Sequence, residues 1–313
     1  MIIPNGDLDL LAVGEALVDF ISEMPAKHLR EVELFRRYQG GSAANVAVNV
    51  AKLGGAAAVV AKVGIGAFGT FIKSELRASG VNTDYLLMDH RVHTTVVFVA
   101  RTTGTPDFEA LRAGDAQLGP GDIPADAIRR SRIVYSTAFA LSRQPERVAV
   151  QRAFALATEH GRLTSLDPNY SPIVWPQRNE ALNVIRGLLT RTTFVKPSLD
   201  DCRRLFNDDV EPGLYVDRFH DMGASTVVLT MGADGVIASD GRRKFYVPAR
   251  PVKVRDVTGA GDSFWGGFLV ATLDGHDLER SVRFAGEVAA RKLAAVGPLP
   301  GVIDRREIYA SIG

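Results

Sequence analysis

Asp262 closes the segment Asp256-Val257-Thr258-Gly259-Ala260-Gly261-Asp262, between an extended run at 245–254 and a helical stretch at 261–272. Small residues at a helix start leave backbone N–H groups bare. Together with the positive end of the helix dipole, such groups hold a phosphate or a developing oxyanion. A carboxylate beside that site is a poor anion binder but a good base, placed to take a proton from a hydroxyl about to attack phosphorus. The same residues would also make a helix cap and a tight turn.

A second glycine-rich segment is Gly40-Gly41-Ser42-Ala43-Ala44-Asn45-Val46-Ala47. Paired glycines before a small-residue helix let a ligand approach the backbone, and Asn45 offers donor and acceptor to sugar hydroxyls, unless it is simply buried and satisfied. Gly14-Glu15-Ala16-Leu17-Val18-Asp19 places acids just past a first strand, where open α/β sheets bind ligands, and Asp19 suits two vicinal hydroxyls. Asp167-Pro168-Asn169-Tyr170, with Trp175 beyond it, and Thr230-Met231-Gly232-Ala233-Asp234-Gly235 also end strand-like runs, the latter in a turn suited to the flat face of a nucleotide. Turn chemistry explains each one singly. Their shared position at strand ends favours a common site.

The elements that carry these residues alternate. Apolar runs at 10–13, 58–63, 133–135, 163–166, 194–195 and 226–230 are separated by helical stretches at 43–53, 68–79, 145–160 and 180–189, with two long helices at 261–272 and 278–293. Runs apolar throughout, spaced by helices, predict a mostly parallel three-layer α/β sheet covered on both faces. Residues 21–38 lack a helical repeat, and 94–110 read as a strand, a turn at 102–107 and a second extended run. Two such segments flanking a βαβ unit predict a small sheet acting as a lid, formed by about 16–39 and 92–112 of a single domain 1–313.

Composition narrows the class. The 313 residues are 46% hydrophobic and 23% charged, with 37 Lys plus Arg against 36 Asp plus Glu, so no overall field draws in nucleic acid or an acidic membrane. Cys202 is the only cysteine, which excludes an intrachain disulfide. No signal-like N-terminus and no membrane-length apolar run are seen, and a cytoplasmic protein is expected. Absence of a Gly-Lys dipeptide excludes a Walker A loop, no Gly-x-Ser-x-Gly elbow occurs, and the six histidines show only the His90/His93 pair. Gly64-Ile65-Gly66-Ala67-Phe68-Gly69, with Asp84 twenty residues after its first glycine, fits the dinucleotide fingerprint of an NAD-dependent dehydrogenase. No Tyr-x-x-x-Lys accompanies it. A non-catalytic sugar- or nucleotide-binding module is a further alternative, opposed by Asp262.

The Gly40–Ala47 and 256–267 segments resemble the two signatures of the ribokinase-like, or phosphofructokinase B type, sugar kinases, and the intervening motifs follow that family's order. The resemblance implies an ATP- and Mg²⁺-dependent kinase with Asp262 as base and Gly259, Ala260 and Gly261 as anion hole. Asp19, Gly40, Gly41 and Asn45 would hold the sugar, with Arg112 and Asp115 facing it. Ser198, Thr230, Gly232 and Gly235 would lie beside the nucleotide. Asp201 would stand near magnesium in place of the family's usual glutamate, Asp256 and Thr258 would be ligands of a possible K⁺, and lid segments would pair in a homodimer. Fructose is the favoured sugar, although Ser171 stands where fructokinases and 2-keto-3-deoxygluconate kinases usually have arginine. 2-Keto-3-deoxygluconate and ribose are the alternatives.

Overall fold

The structure is a computed structural model that describes residues 2–102 and 107–312. Thirteen strands appear among them: β1 Leu8–Val13, β2 Leu17–Ser22, β3 Phe35–Gly40, β4 Ala57–Gly64, β5 Leu86–Asp89, β6 Val96–Val99, β7 Phe108–Leu111, β8 Ser131–Thr137, β9 Leu163–Asp167, β10 Phe194–Val195, β11 Thr226–Thr230, β12 Val236–Ser239 and β13 Lys244–Val247. Nine of them form one sheet in the order β13-β12-β11-β10-β9-β8-β1-β4-β5. Pairing is parallel from β5 to β11, with register Leu10↔Ala57 and Leu10↔Ile133 around β1. The β11-β12-β13 edge is antiparallel. All of β4 is buried, as a strand covered on both faces must be.

Two apolar cores lie on opposite faces of this sheet. One joins helices Ser42–Lys52, Ala260–Leu273 and Leu278–Leu293 through residues such as Val46, Phe268 and Phe284. The other joins helices Glu146–Glu159, Arg178–Leu189 and Pro212–Asp221 through Phe154, Ile185 and Phe219. Helix Ala260–Leu273 is buried on every side from Ser263 onward, which explains why its sequence lacks a polar face. A Cβ on Gly266 would stand 2.7 Å from Asn49 Cβ. That contact lets helices Ser42–Lys52 and Ala260–Leu273 run against each other and brings their N-termini together.

The other four strands make a small separate sheet, β3-β2-β6-β7, in which β2 pairs antiparallel with β3 and parallel with β6. Phe20 joins it to helix Ala67–Ala78, stacking on Phe98 at 5.2 Å and meeting Phe68 edge-on at 5.6 Å. Of the turn expected at 102–107, residues 103–106 lie outside the described residues. The extended run expected at 245–254 is a strand only as far as Val247, because β13 leaves the sheet edge at Pro248. Helices Ala125–Arg130, Leu199–Phe206 and Arg305–Ser311 were not foreseen: each is short, and propensity alone specifies such segments weakly.

Two glycines of the dinucleotide-like motif, Gly64 and Gly69, have a packing role. A Cβ on Gly69 would fall 1.7 Å from Gly64 O, and one on Gly64 would fall 2.5 Å from Val92 O. Gly266→Ala is expected to destabilise the fold by about 1–3 kcal/mol through overpacking against Asn49, measured by urea unfolding. An unchanged midpoint would show that the two helices do not need this approach.

Candidate active site

Gly40 ends β3 and Gly41 caps the next helix, their backbone pressed against two carboxylic residues. A Cβ on Gly40 would overlap Asp19 Oδ2 at 2.1 Å, and one on Gly41, whose φ is +93°, would meet Glu15 O at 2.5 Å. These glycines therefore make room first of all for the chain's own acids. Glu15 caps the helix that follows: its Oε1 accepts from Ala43 N at 3.1 Å and its Oε2 from Thr137 Oγ1 at 2.8 Å.

Asp262 sits in the first turn of helix Ala260–Leu273, half-buried. Ser42 Oγ donates to its Oδ1 at 2.6 Å, and Asn45 Nδ2 donates to its Oδ2 at 2.9 Å. Gln39 Nε2 donates to Asn45 Oδ1 at 3.1 Å and so selects that amide orientation, while Tyr135 OH lies 3.3 Å from Ser42 Oγ. Both carboxylate oxygens are thus oriented, yet each keeps a lone pair for a proton. Asn45, expected to meet sugar hydroxyls, positions Asp262.

At the tip of this helix Gly259 is left-handed with φ +74°. The amides of Gly259, Gly261 and Asp262 have no protein acceptor among the described residues, whereas Ala260 N closes a turn on Val257 O at 3.1 Å. Ala260 is therefore a correction to the expected anion hole. The bare donors are its neighbours.

Lys196, which residue types alone did not single out, lies at the same tip: a Cβ on Gly261 would be 3.6 Å from its Nζ. Its ammonium pairs with Asp167 at 2.8 Å, both side chains being buried. Burial pulls Lys196 down, but Asp167, Asp201 and Asp262 outweigh it and hold the group above its ordinary value. Its position directly after β10, at a strand end, was the available signal.

The acids around this tip repel one another. Asp19 is pushed up to about 7 by burial, then by the charges of Asp262 and Glu15. Glu15 is likewise pushed up to about 7, by burial. Asp201 is raised by burial and by Asp167, although Ser198, Arg204 and Lys196 oppose this. Arg204 holds Asp201 Oδ1 at 2.7 Å. Such an excess of carboxylate over cation, with Asp201 Oδ2 uncommitted to any residue by a hydrogen bond, fits a Mg²⁺ that arrives on phosphate oxygens and keeps much of its water.

Other expected site residues are placed differently. Ser198 Oγ accepts from Asp201 N at 3.1 Å as a helix cap, and Thr230 Oγ1 donates to Pro197 O at 3.4 Å. Gly232 and Gly235 line a cavity of about 400 Å³ walled by Pro248, Phe264, Val282 and Leu293. Of the pair expected to face the sugar, Asp115 is enclosed, whereas Arg112 lines the wide cleft beside the small sheet with its charge already engaged. Arg112 pairs with Asp115 at 2.5 Å and Glu146 at 2.6 Å and lies over the Phe139 ring, and Thr95 closes on Asp115. Each carboxylate of that network offsets charge that Arg112 would otherwise offer to an acidic substrate. Asp256 and Thr258 do not form an open cation site either, because Asp256 is bonded to Thr258 N, Gly297 N and Lys292 Nζ.

A wide cleft of about 1050 Å³ runs beside the small sheet past Phe68, His93, Arg112 and Arg143, while Asp19, Asn45 and Gly259 line a separate, narrower one of about 50 Å³. Against this geometry the comparisons with known proteins are decisive. The profile of the pfkB family carbohydrate kinases matches residues 7–302. This chain belongs to that family. The ATP-dependent 6-phosphofructokinase of Thermoanaerobacterium thermosaccharolyticum is 32% identical over 95% of this chain and 91% of its own. Fructokinase-1 of Oryza sativa is 31% identical over 96% of this chain and 98% of its own. The solved fructokinase of Halothermothrix orenii superposes with a TM-score of 0.80 at 35% identity, covering 93% of this chain and 99% of that one. As a pfkB family member the chain is an ATP-dependent sugar kinase, and the dehydrogenase alternative falls with that assignment.

Raised carboxyls have a thermodynamic consequence. Between about pH 4 and about pH 7 the folded chain keeps protons on Glu15 and Asp19 that the unfolded chain has lost, so the stability these two groups contribute is full below about pH 4 and is lost as pH rises toward about 7. Asp19→Asn is expected to flatten part of that decline. Urea unfolding at about pH 5 and about pH 8 for both proteins measures it. Equal pH dependence would place the Asp19 proton elsewhere.

Proposed function

We propose that this kinase transfers the γ-phosphoryl group of ATP to a primary hydroxyl of fructose. The observation that carries the transfer is the Ser42–Asp262–Asn45 constellation beside the uncommitted Gly259 and Gly261 amides. Asp262 takes the proton of the attacking hydroxyl while the amides and Lys196 meet charge on the phosphoryl oxygens. The nucleotide base sits in the cavity of Gly232, Gly235, Phe264 and Leu293, whose apolar walls suit a flat heterocycle. Magnesium, when bound, neutralises phosphate charge, with Asp201 and Asp167 as the residues that would hold it or its water shell.

Asp19 and Gly40 hold the sugar beneath the small sheet, which acts as a lid over it. The β3 and β7 edges of that sheet have no partner strand among the described residues, and Leu34 and Leu111 are exposed on these segments, which supports pairing with a second copy. Fructose is supported by the rice and Halothermothrix relatives. The carboxylate of 2-keto-3-deoxygluconate would find Arg112 already neutralised by Asp115 and Glu146, which leaves Arg143 and His93 of the wide cleft to meet it. A phosphorylated fructose is a second reading, supported by the Thermoanaerobacterium relative and by His93 and Arg143 in the wide cleft.

ADP release with fructose, fructose 6-phosphate, ribose and 2-keto-3-deoxygluconate is expected to be fastest with fructose. Preference for the phosphorylated sugar would move the assignment to the second reading, and no release with any of them would sink both. Asp262→Asn is expected to lower turnover by about 10²–10⁴-fold with sugar affinity little changed. Near-normal turnover would remove Asp262 as the base.

A further inference from the structure

Lys292 lies in the last turn of helix Leu278–Leu293, and its side chain is 1% exposed. A lysine this deep is rare unless its charge is met. Its Nζ donates to Asp256 O at 2.9 Å and stands 3.0 Å from Asp256 Oδ2, so carbonyl and carboxylate of one residue hold the same ammonium. Asp256 Oδ1 accepts from Thr258 N at 3.0 Å, and Oδ2 also accepts from Gly297 N at 3.0 Å. Arg255 N reaches back to Leu293 O at 2.8 Å, fastening the loop to the end of the helix. Two independent sources of negative potential converge here, the carboxylate and the C-terminal end of the helix dipole. The spot demands a cation, and the chain supplies one covalently.

We infer that Lys292 is a tethered substitute for a monovalent cation: its ammonium neutralises Asp256 and fixes loop 256–259 in the shape that bares the Gly259 and Gly261 amides, so the kinase works without potassium. A potassium ion would need the same oxygens that the ammonium already occupies. The ammonium is a compact point charge with three donors, able to bridge a carbonyl and a carboxylate as an ion would. Burial draws the Lys292 ammonium down and the Asp256 charge opposes this, while Thr258 N, Gly297 N and Lys292 keep the Asp256 carboxyl below its usual range against its own burial. Lys292 is a positioning residue, because it acts on phosphate through the loop. Its role rests on the kinase assignment and not on the choice of sugar.

The test compares cations. ADP release by the wild-type enzyme, with whichever sugar it uses and Mg²⁺-ATP in tetramethylammonium buffer, is expected to be unchanged when K⁺ is added. Lys292→Ala is expected to lose roughly tenfold or more in turnover and to recover it with K⁺ or NH₄⁺ but not with tetramethylammonium. Thermal unfolding gives a readout that needs no substrate: K⁺ should raise the melting temperature of Lys292→Ala and leave that of the wild type alone. A wild type that requires K⁺ overturns the inference, as does a folded Lys292→Ala that K⁺ neither activates nor stabilises. Should that variant not fold, Lys292→Gln is read by the same two measurements. A wild type inactive on every sugar would count against the proposed function, and the thermal comparison would still decide the cation.

Discussion

The paired hydrogen bonds from Ser42 and Asn45 to Asp262 are the constraint on which the site depends. They join the first turns of two helices more than two hundred residues apart in sequence. A carboxylate at a helix tip is free to cap its own backbone, and in that state it would compete with a phosphate for the amides. Held from both sides by a hydroxyl and an amide, Asp262 is turned away from its own N–H groups. Those groups then remain for an anion.

That arrangement requires the two helices to start level and close. Gly266 against Asn49 sets the spacing, Glu15 secures the start of helix Ser42–Lys52, and Lys292 with Asp256 secures the approach to helix Ala260–Leu273. Each anchor is a buried ionisable group or a missing side chain, and each is destabilising outside this context. Raised carboxyls at Glu15, Asp19, Asp167 and Asp201 express the same crowding as electrostatics. Such strain at a site that receives a highly charged cofactor is consistent with stability given up for function.

Much of the large sheet was legible because its strands are buried on both faces and therefore carry uninterrupted apolar runs, as at Thr226–Thr230 and Phe194–Val195. Periodicity over several turns made the long helices visible and left Leu199–Phe206 unnoticed, since eight residues are only about two turns, too few to establish a repeat although the helix is amphipathic. Within the site, Asp262 and the glycines before it stand out by type. Lys196 and Ser42 do not, because a lysine after a strand and a serine at a helix start are ordinary, and only their partners make them unusual. Arg112 was legible only in part: its charge is plain in the sequence and it lines the wide cleft, while the engagement of that charge by Asp115 and Glu146 is a matter of packing.

By itself the sequence determined the layered α/β architecture, the helix tip with its acid, and the kind of chemistry such a tip performs, because these follow from local periodicity and residue type. Tertiary structure alone decided which groups Asp262 leans on, that Ala260 is not among the bare donors, and that a lysine rather than an open oxygen cage faces Asp256. Hydrogen-bond partnership and charge neutralisation act over a few ångströms of space. Chain position does not report such distances until the helices have packed.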